Sequence, residues 1–120
     1  MKYRILGQTG QRVSEVGFGC WAIGGTSYGP TRDDDSLNAL TAAWEHGVNF
    51  FDTADTYGHG HSEELIGKFL KGKRDQALIA SKAFKAAKPA HRLWFGDQRL
   101  DVIAFGGVER ADRSIVWGSM

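Results

Sequence analysis

The chain has 120 residues, 42% hydrophobic and 24% charged, with a net charge of +1. That balance suits one modest globular domain and gives no strong electrostatic pull toward nucleic acid or an acidic membrane surface. No apolar run approaches the ~20 residues needed to span a bilayer, and the start, MKYRILGQTG, lacks the apolar core of a secretion signal. The single cysteine, Cys20, cannot form an internal disulfide, which suits a reducing cytoplasm.

Residues 3–6 are a short β-prone run. GQTG follows at residues 7–10, then a second run at 13–16. Two such runs around a Gly-containing turn predict a β-hairpin. Residues 16–21 then read as a buried strand running into a Gly-rich loop, GFGCWAIGG. A helix is expected from Arg32 to Asp35 onward, because acidic residues suit a first turn. Leu37, Leu40, Ala43 and Trp44 follow at helical spacing, with Gly47 as the stop. Residues 48–51 predict a second strand ending at Asp52.

TADTYGHGH reads as a loop. Ser62 is the expected N-cap of a second helix, with Glu63 and Glu64 in its first turn. Leu65, Ile66, Phe69 and Leu70 form its apolar face, and Gly72 ends it. Residues 77–81 predict a third strand ending at Lys82. Beyond it no sustained helical face is visible through residue 99. Residues 100–105 and 115–117 read as strand fragments.

The order is hairpin, β, α, β, α, β, which predicts parallel strands joined by crossover helices. The strand ends at Trp21, Asp52 and Lys82 are 31 and 30 residues apart. A (β/α)8 barrel spends ~250 residues on eight units, roughly 31 each. An open doubly wound sheet has a similar rhythm, although no GxGxxG loop follows the first strand. The expected fold is therefore α/β, the N-terminal portion of a (β/α)8 barrel preceded by a β-hairpin and truncated after about three to four βα units. Residues 1–82 form the partial barrel, and 83–120 a divergent tail.

In such a barrel the active site forms at the C-terminal ends of the strands. Asp52 and Lys82 occupy two of those ends, and Tyr57 lies in the loop above them. A carbonyl that accepts a hydride at carbon needs a proton at oxygen. A tyrosine hydroxyl can give it, but with a free pKa of ~10 it needs a nearby ammonium to stabilise the phenolate. Lys82 would supply that charge, and Asp52 would hold Lys82 in place. No side chain donates a hydride, so a cofactor must.

These residues also carry a resemblance. YRILGQTGQRVSEVGFGCWAIGG, GVNFFDTADTYGHGHSEELIGKFLKGKRD and LIASK, together covering residues 3–82, resemble the N-terminal part of an aldo-keto reductase. The resemblance implies NADPH as cofactor, an aldehyde or ketone as substrate, and a catalytic Asp, Tyr, Lys and His. Three of the four map onto Asp52, Tyr57 and Lys82. It also implies that Gly19, Cys20, Trp21 and Asp52 lie near the nicotinamide. The family's histidine closes the next strand. The segment VERADRSIVW aligns there and puts Trp117 in the histidine's place, while His91 falls too soon after Lys82.

Other readings compete. His59 and His61 stand beside Asp52 and Asp55, but ligands at i and i+2 fall short of the three or four that zinc requires, so no metal is expected. Cys20 has no histidine near it in sequence and reads as a small buried residue. Lys68, Lys71, Lys73 and Arg74 suit a helix C-terminus, and Trp44 suits helix packing. Two functions remain open. One is a cytoplasmic NADPH-dependent oxidoreductase acting on a small-molecule carbonyl, impaired in so short a chain. The other is a non-catalytic remnant that self-associates through exposed strand edges. A metal hydrolase on a similar barrel is a weaker third.

Overall fold

The computed structural model describes residues 1–26, 29–83, 91–95, 98–102, 108–109 and 114–118. The expected hairpin is present: β1 (Tyr3–Ile5) pairs antiparallel with β2 (Arg12–Ser14), with Tyr3 opposite Ser14 and Ile5 opposite Arg12. The Thr9 hydroxyl donates to Leu6 O at 2.6 Å inside the turn. Asn49 docks the hairpin onto the sheet. Its Oδ1 accepts from Ser14 N at 2.7 Å, and its Nδ2 donates to Arg12 O at 3.0 Å. Asn49 precedes the strand that ends at Asp52, so the hairpin sits at the opposite end of the sheet from the strand C-termini.

The strand predicted over 16–21 shrinks to β3 (Phe18–Gly19). Val16 is 58% exposed rather than buried. The Ser14 hydroxyl takes the Val16 carbonyl at 2.7 Å, which bends the chain before the ladder begins. Parallel pairing starts only where Phe18 meets Phe51. Trp21 lies beyond the strand and is 48% exposed.

Helix α1 (Asp33–Glu45) opens with Asp33, Asp34 and Asp35, whose charges favour the positive end of the helix dipole. It leads to β4 (Phe50–Asp52), then α2 (His61–Phe69) and β5 (Leu78–Ala83). A short 3-10 turn, Tyr57–Gly60, interrupts the predicted loop before α2. Helix α2 starts two residues earlier than predicted, with Gly60 rather than Ser62 at the cap. Ser62 is fully buried and turns its hydroxyl inward, where stronger partners wait.

Four further strands follow: β6 (His91–Phe95), β7 (Gln98–Val102), β8 (Val108–Glu109) and β9 (Ser114–Gly118). Strands β6 and β7 form an antiparallel pair, with Leu93 opposite Leu100, where no sustained helical face was visible through residue 99. The fragment predicted at 100–105 is observed as β7, with 103–105 outside the described residues. The fragment at 115–117 is the middle of β9. The main sheet has the order β3-β4-β5-β9-β8, parallel from β3 to β9, with β8 antiparallel at its side. The βαβαβ rhythm predicted from sequence is therefore built as a parallel ladder with crossover helices.

The core lies between the sheet and the two helices. Leu40 of α1, Leu65 and Ile66 of α2, and Phe51 and Ile79 of the strands are all inaccessible to solvent. Phe51 packs against Phe18, Trp44 and Phe69, with ring centroids 6.1–6.3 Å apart. Trp44 serves helix packing, as its spacing predicted. Lys73, from the basic cluster, lays its ammonium 3.6 Å from the centroid of the Phe69 ring.

Candidate active site

The C-terminal ends of β3, β4 and β5 come together at one end of the sheet. Gly19 is level with Asp52, and Asp52 with Ala80, in adjoining parallel ladders. Lys82 lies two residues beyond Ala80, so its side chain emerges on the same face of β5 and reaches back toward Asp52. The Lys82 Nζ donates to Asp52 Oδ1 at 2.5 Å and to Thr53 O at 3.2 Å. The pair is open to solvent on one side, with the Asp52 side chain 46% and the Lys82 side chain 29% exposed. A pair so exposed adds little stability, about 0–1 kcal/mol. It does fix an ammonium in one place.

Tyr57 stands over that ammonium, with its ring centroid 5.5 Å from Lys82 Nζ. Its ring also stacks on Trp21, with centroids 6.1 Å apart and planes 24° from parallel. Two glycines bring the Trp21 and Tyr57 loops this close. A Cβ on Gly58 would stand 2.1 Å from the Gly24 carbonyl oxygen, and one on Gly24 would stand 2.7 Å from the Gly58 nitrogen. Gly58 also has φ +61°, in the left-handed region that glycine adopts without strain. Neither glycine stood out in the sequence, because the contact joins segments more than 30 residues apart.

Of the residues expected beside a cofactor, Gly19, Trp21 and Asp52 open toward solvent at this end of the sheet, with Gly19 and Trp21 the most exposed. A Cβ added at Gly19 would meet nothing within 4 Å, so the space above it is clear. Cys20 faces the other way. It is fully buried, its Sγ lies 3.5 Å from Phe18 O, and burial pushes the thiol far above its ordinary range, with the Asp52 charge adding to the effect. Its backbone is closed to solvent as well, with N–H donating to Asp52 O at 2.8 Å and the carbonyl accepting from Ser62 Oγ.

Behind these residues lies a buried polar layer that pattern reading missed. Ser62 Oγ donates to Cys20 O at 2.8 Å and lies 3.0 Å from Thr53 Oγ1. Glu63 is 5% exposed, and its carboxyl accepts from Ser81 Oγ at 2.6 Å. Burial raises Glu63 to about 7, and the Asp55 charge pushes the same way against the Ser81 hydrogen bond. In sequence, Ser62 and Glu63 looked like ordinary helix-start residues.

The two loop histidines part company. His61 Nε2 lies 2.7 Å from Asp33 Oδ1 and ties the start of α2 to the start of α1. His59 is exposed, with φ 56°. Among the described residues no group of three or more His, Cys, Asp or Glu is placed to hold a metal.

Trp117, expected where the resemblance has a histidine, is placed by strand register. Strand β9 runs parallel to β5, and Trp117 is level with Lys82.

A model of the aldo/keto reductase family matches residues 15–99. The chain belongs to this family. Among curated aldo-keto reductases, YhdN of Bacillus subtilis is 45% identical over 84 residues, 68% of this chain and 25% of the relative. Among solved structures, the holo form of aldo-keto reductase AKR11C1 from Bacillus halodurans aligns with a TM-score of 0.61 and 38% identity, covering 68% of this chain and 26% of that one. An aldo-keto reductase from Klebsiella pneumoniae in complex with NADPH aligns with a TM-score of 0.53 and 32% identity, over 61% of this chain and 25% of that one. The chain thus spans about a quarter of the length of these relatives. Its fold is the α/β type of the aldo-keto reductase (β/α)8 barrel, with the hairpin ahead of the parallel strands.

Proposed function

We propose that the strand-end cluster is the proton-donating half of an NADPH-dependent carbonyl reductase site, acting on an aldehyde or ketone. The observation that carries this reading is the Lys82 ammonium, bound to Asp52 and placed under the Tyr57 ring. The nicotinamide, when bound, would supply the hydride to the carbonyl carbon. Tyr57 would give its hydroxyl proton to the carbonyl oxygen. Lys82 would stabilise the phenolate left behind, and Asp52 would keep Lys82 from swinging into solvent. The clear space at Gly19, the exposed face of Trp21 and the half-open Asp52 carboxylate suit a flat ring laid across the strand ends. The NADPH bound by the Klebsiella relative supports the choice of cofactor. The lone buried cysteine suits a cytoplasmic setting. Among the described residues no helix is long and apolar enough to cross a membrane.

Calorimetry with NADPH, followed by loss of NADPH absorbance on adding a small aldehyde, tests the reading. Tyr57→Phe should keep NADPH binding and lower carbonyl-dependent turnover by about a hundredfold or more, the usual worth of a placed acid. Absence of NADPH binding, or equal turnover in Tyr57→Phe, would sink it.

One observation favours a second reading. Among the described strands β3 pairs with β4 alone, leaving an edge that a second chain can extend. A non-catalytic, self-associating chain would sediment as a dimer or larger species and bind no NADPH. A monomer across a hundredfold range of concentration rejects that reading.

A further inference from the structure

Helix α2 meets the strand ends from behind through two consecutive residues, and their hydrogen bonds can be assigned completely. The one proton on Ser62 Oγ goes to Cys20 O at 2.8 Å. In the 3.0 Å contact with Thr53 Oγ1, therefore, Thr53 must donate. Thr53 is then held at three atoms. Its N–H donates to Ala80 O at 2.8 Å, its hydroxyl is bound to Ser62, and its carbonyl receives Lys82 Nζ at 3.2 Å. Next to Ser62, Glu63 binds the hydroxyl of Ser81 at 2.6 Å. Ser81 and Lys82 are neighbours on one strand, so their side chains leave opposite faces. Helix α2 thus grips both the residue beside the ammonium and the residue whose carbonyl receives it. All three small or acidic partners, Ser62, Glu63 and Ser81, are buried.

We propose that Ser62 and Glu63 are positioning residues for Lys82, holding its ammonium on Asp52 and Thr53 by binding Cys20, Thr53 and Ser81 from the far side of the sheet. The proposal rests on the reading of Lys82 as part of the reducing site and names what sets that site's geometry. Strand β4 is only three residues long, and beyond it the backbone stays tied to β5 through Thr53 N–H to Ala80 O at 2.8 Å and Asp55 N–H to Lys82 O at 3.0 Å. The clamp from α2 adds side-chain bonds on the other face, at Thr53 and Ser81. Glutamine at position 63 keeps an oxygen that accepts from Ser81. Alanine keeps none.

The test is competitive acetylation of the full chain with acetic anhydride, read lysine by lysine by mass spectrometry. Lys2 and Lys68, both exposed, serve as internal references. Loosening the ammonium from its acceptors should raise labelling of Lys82 relative to Lys2 about fivefold, the equilibrium weight of roughly one hydrogen bond. That rise is expected in Ser62→Ala, Glu63→Ala and Ser81→Ala, with Glu63→Gln remaining at the parental value. If Glu63→Ala fails to fold, Ser81→Ala decides, since it removes the same hydrogen bond and leaves α2 unaltered. Unchanged Lys82 labelling in a folded Ser81→Ala or Ser62→Ala chain overturns the proposal. So does a rise in Glu63→Gln equal to that in Glu63→Ala, or a rise that Lys2 and Lys68 share. The assay contains no aldehyde or ketone and no cofactor. Its failure would leave the reductase reading untouched, and a chain that reduces no carbonyl can still pass it.

Discussion

Replacing Glu63 with glutamine should change how the stability of the chain depends on pH. Glu63 is buried, and its carboxyl is raised from its ordinary 4.5 to about 7 by desolvation and by Asp55. A carboxyl raised on folding binds more protons in the folded chain than in the unfolded one, between those two values. Stability must therefore fall as pH rises through that window. Below pH 4.5 both states are protonated and nothing is lost. Above about pH 7 both are ionised and the loss is complete. At ~1.4 kcal/mol per pH unit, the full loss is about 3 kcal/mol. That is a large share of a total stability of roughly 5–15 kcal/mol. Glutamine cannot ionise, so its curve lacks this component. Its amide nitrogen adds a cost of about 1–3 kcal/mol if left unbonded, but that cost is the same at every pH. Urea unfolding of both chains from pH 4.5 to 8, compared as a difference at each pH, isolates the effect. Cys20 titrates above this range and does not enter. Parallel curves for the two chains would refute the assignment of a buried, raised carboxyl at Glu63. A difference of opposite sign would mean that the folded chain favours the charged form.

The ion pair behaves differently. Lys82→Met should shift the urea midpoint by the equivalent of about 1 kcal/mol or less, because the pair is half open to water, while carbonyl-dependent turnover falls about a hundredfold or more. Gly58→Ala should cost about 1–3 kcal/mol in urea unfolding, from its left-handed φ and the clash with Gly24. It should also part Trp21 from Tyr57, seen as a change in tryptophan emission. Trp117→His places the family's fourth residue level with Lys82 and should raise carbonyl-dependent turnover about tenfold or more. An unchanged rate would show that this register position does not reach the reacting oxygen.

The elements that carry the site were legible in the sequence because their signals are local. Alternating apolar strands and helical faces at a thirty-residue period place Asp52 and Lys82 at the ends of neighbouring strands, and DTADTYG followed by SEELIG names the lineage. The details that failed were decided by distant partners. Ser62 has the composition of a cap, yet Thr53 and Cys20 offer it better hydrogen bonds from inside. Residues 16–21 have the composition of a strand, yet the Ser14 hydroxyl and the register with Phe51 leave two residues for it. The stretch from His91 to Phe95 shows no helical face because it is a strand, which only its pairing with Gln98–Val102 reveals.

By itself, then, the sequence determined which residues could do the chemistry and on which strand ends they would stand. Only the tertiary structure decided that Lys82 lies on Asp52 and under Tyr57, that Gly24 and Gly58 touch, and that Ser62 and Glu63 brace the sheet from behind. The physical reason is one of range. Periodicity and turn chemistry act over a few residues, whereas a buried hydrogen bond or a backbone contact is chosen among all groups that folding brings within about 3 Å.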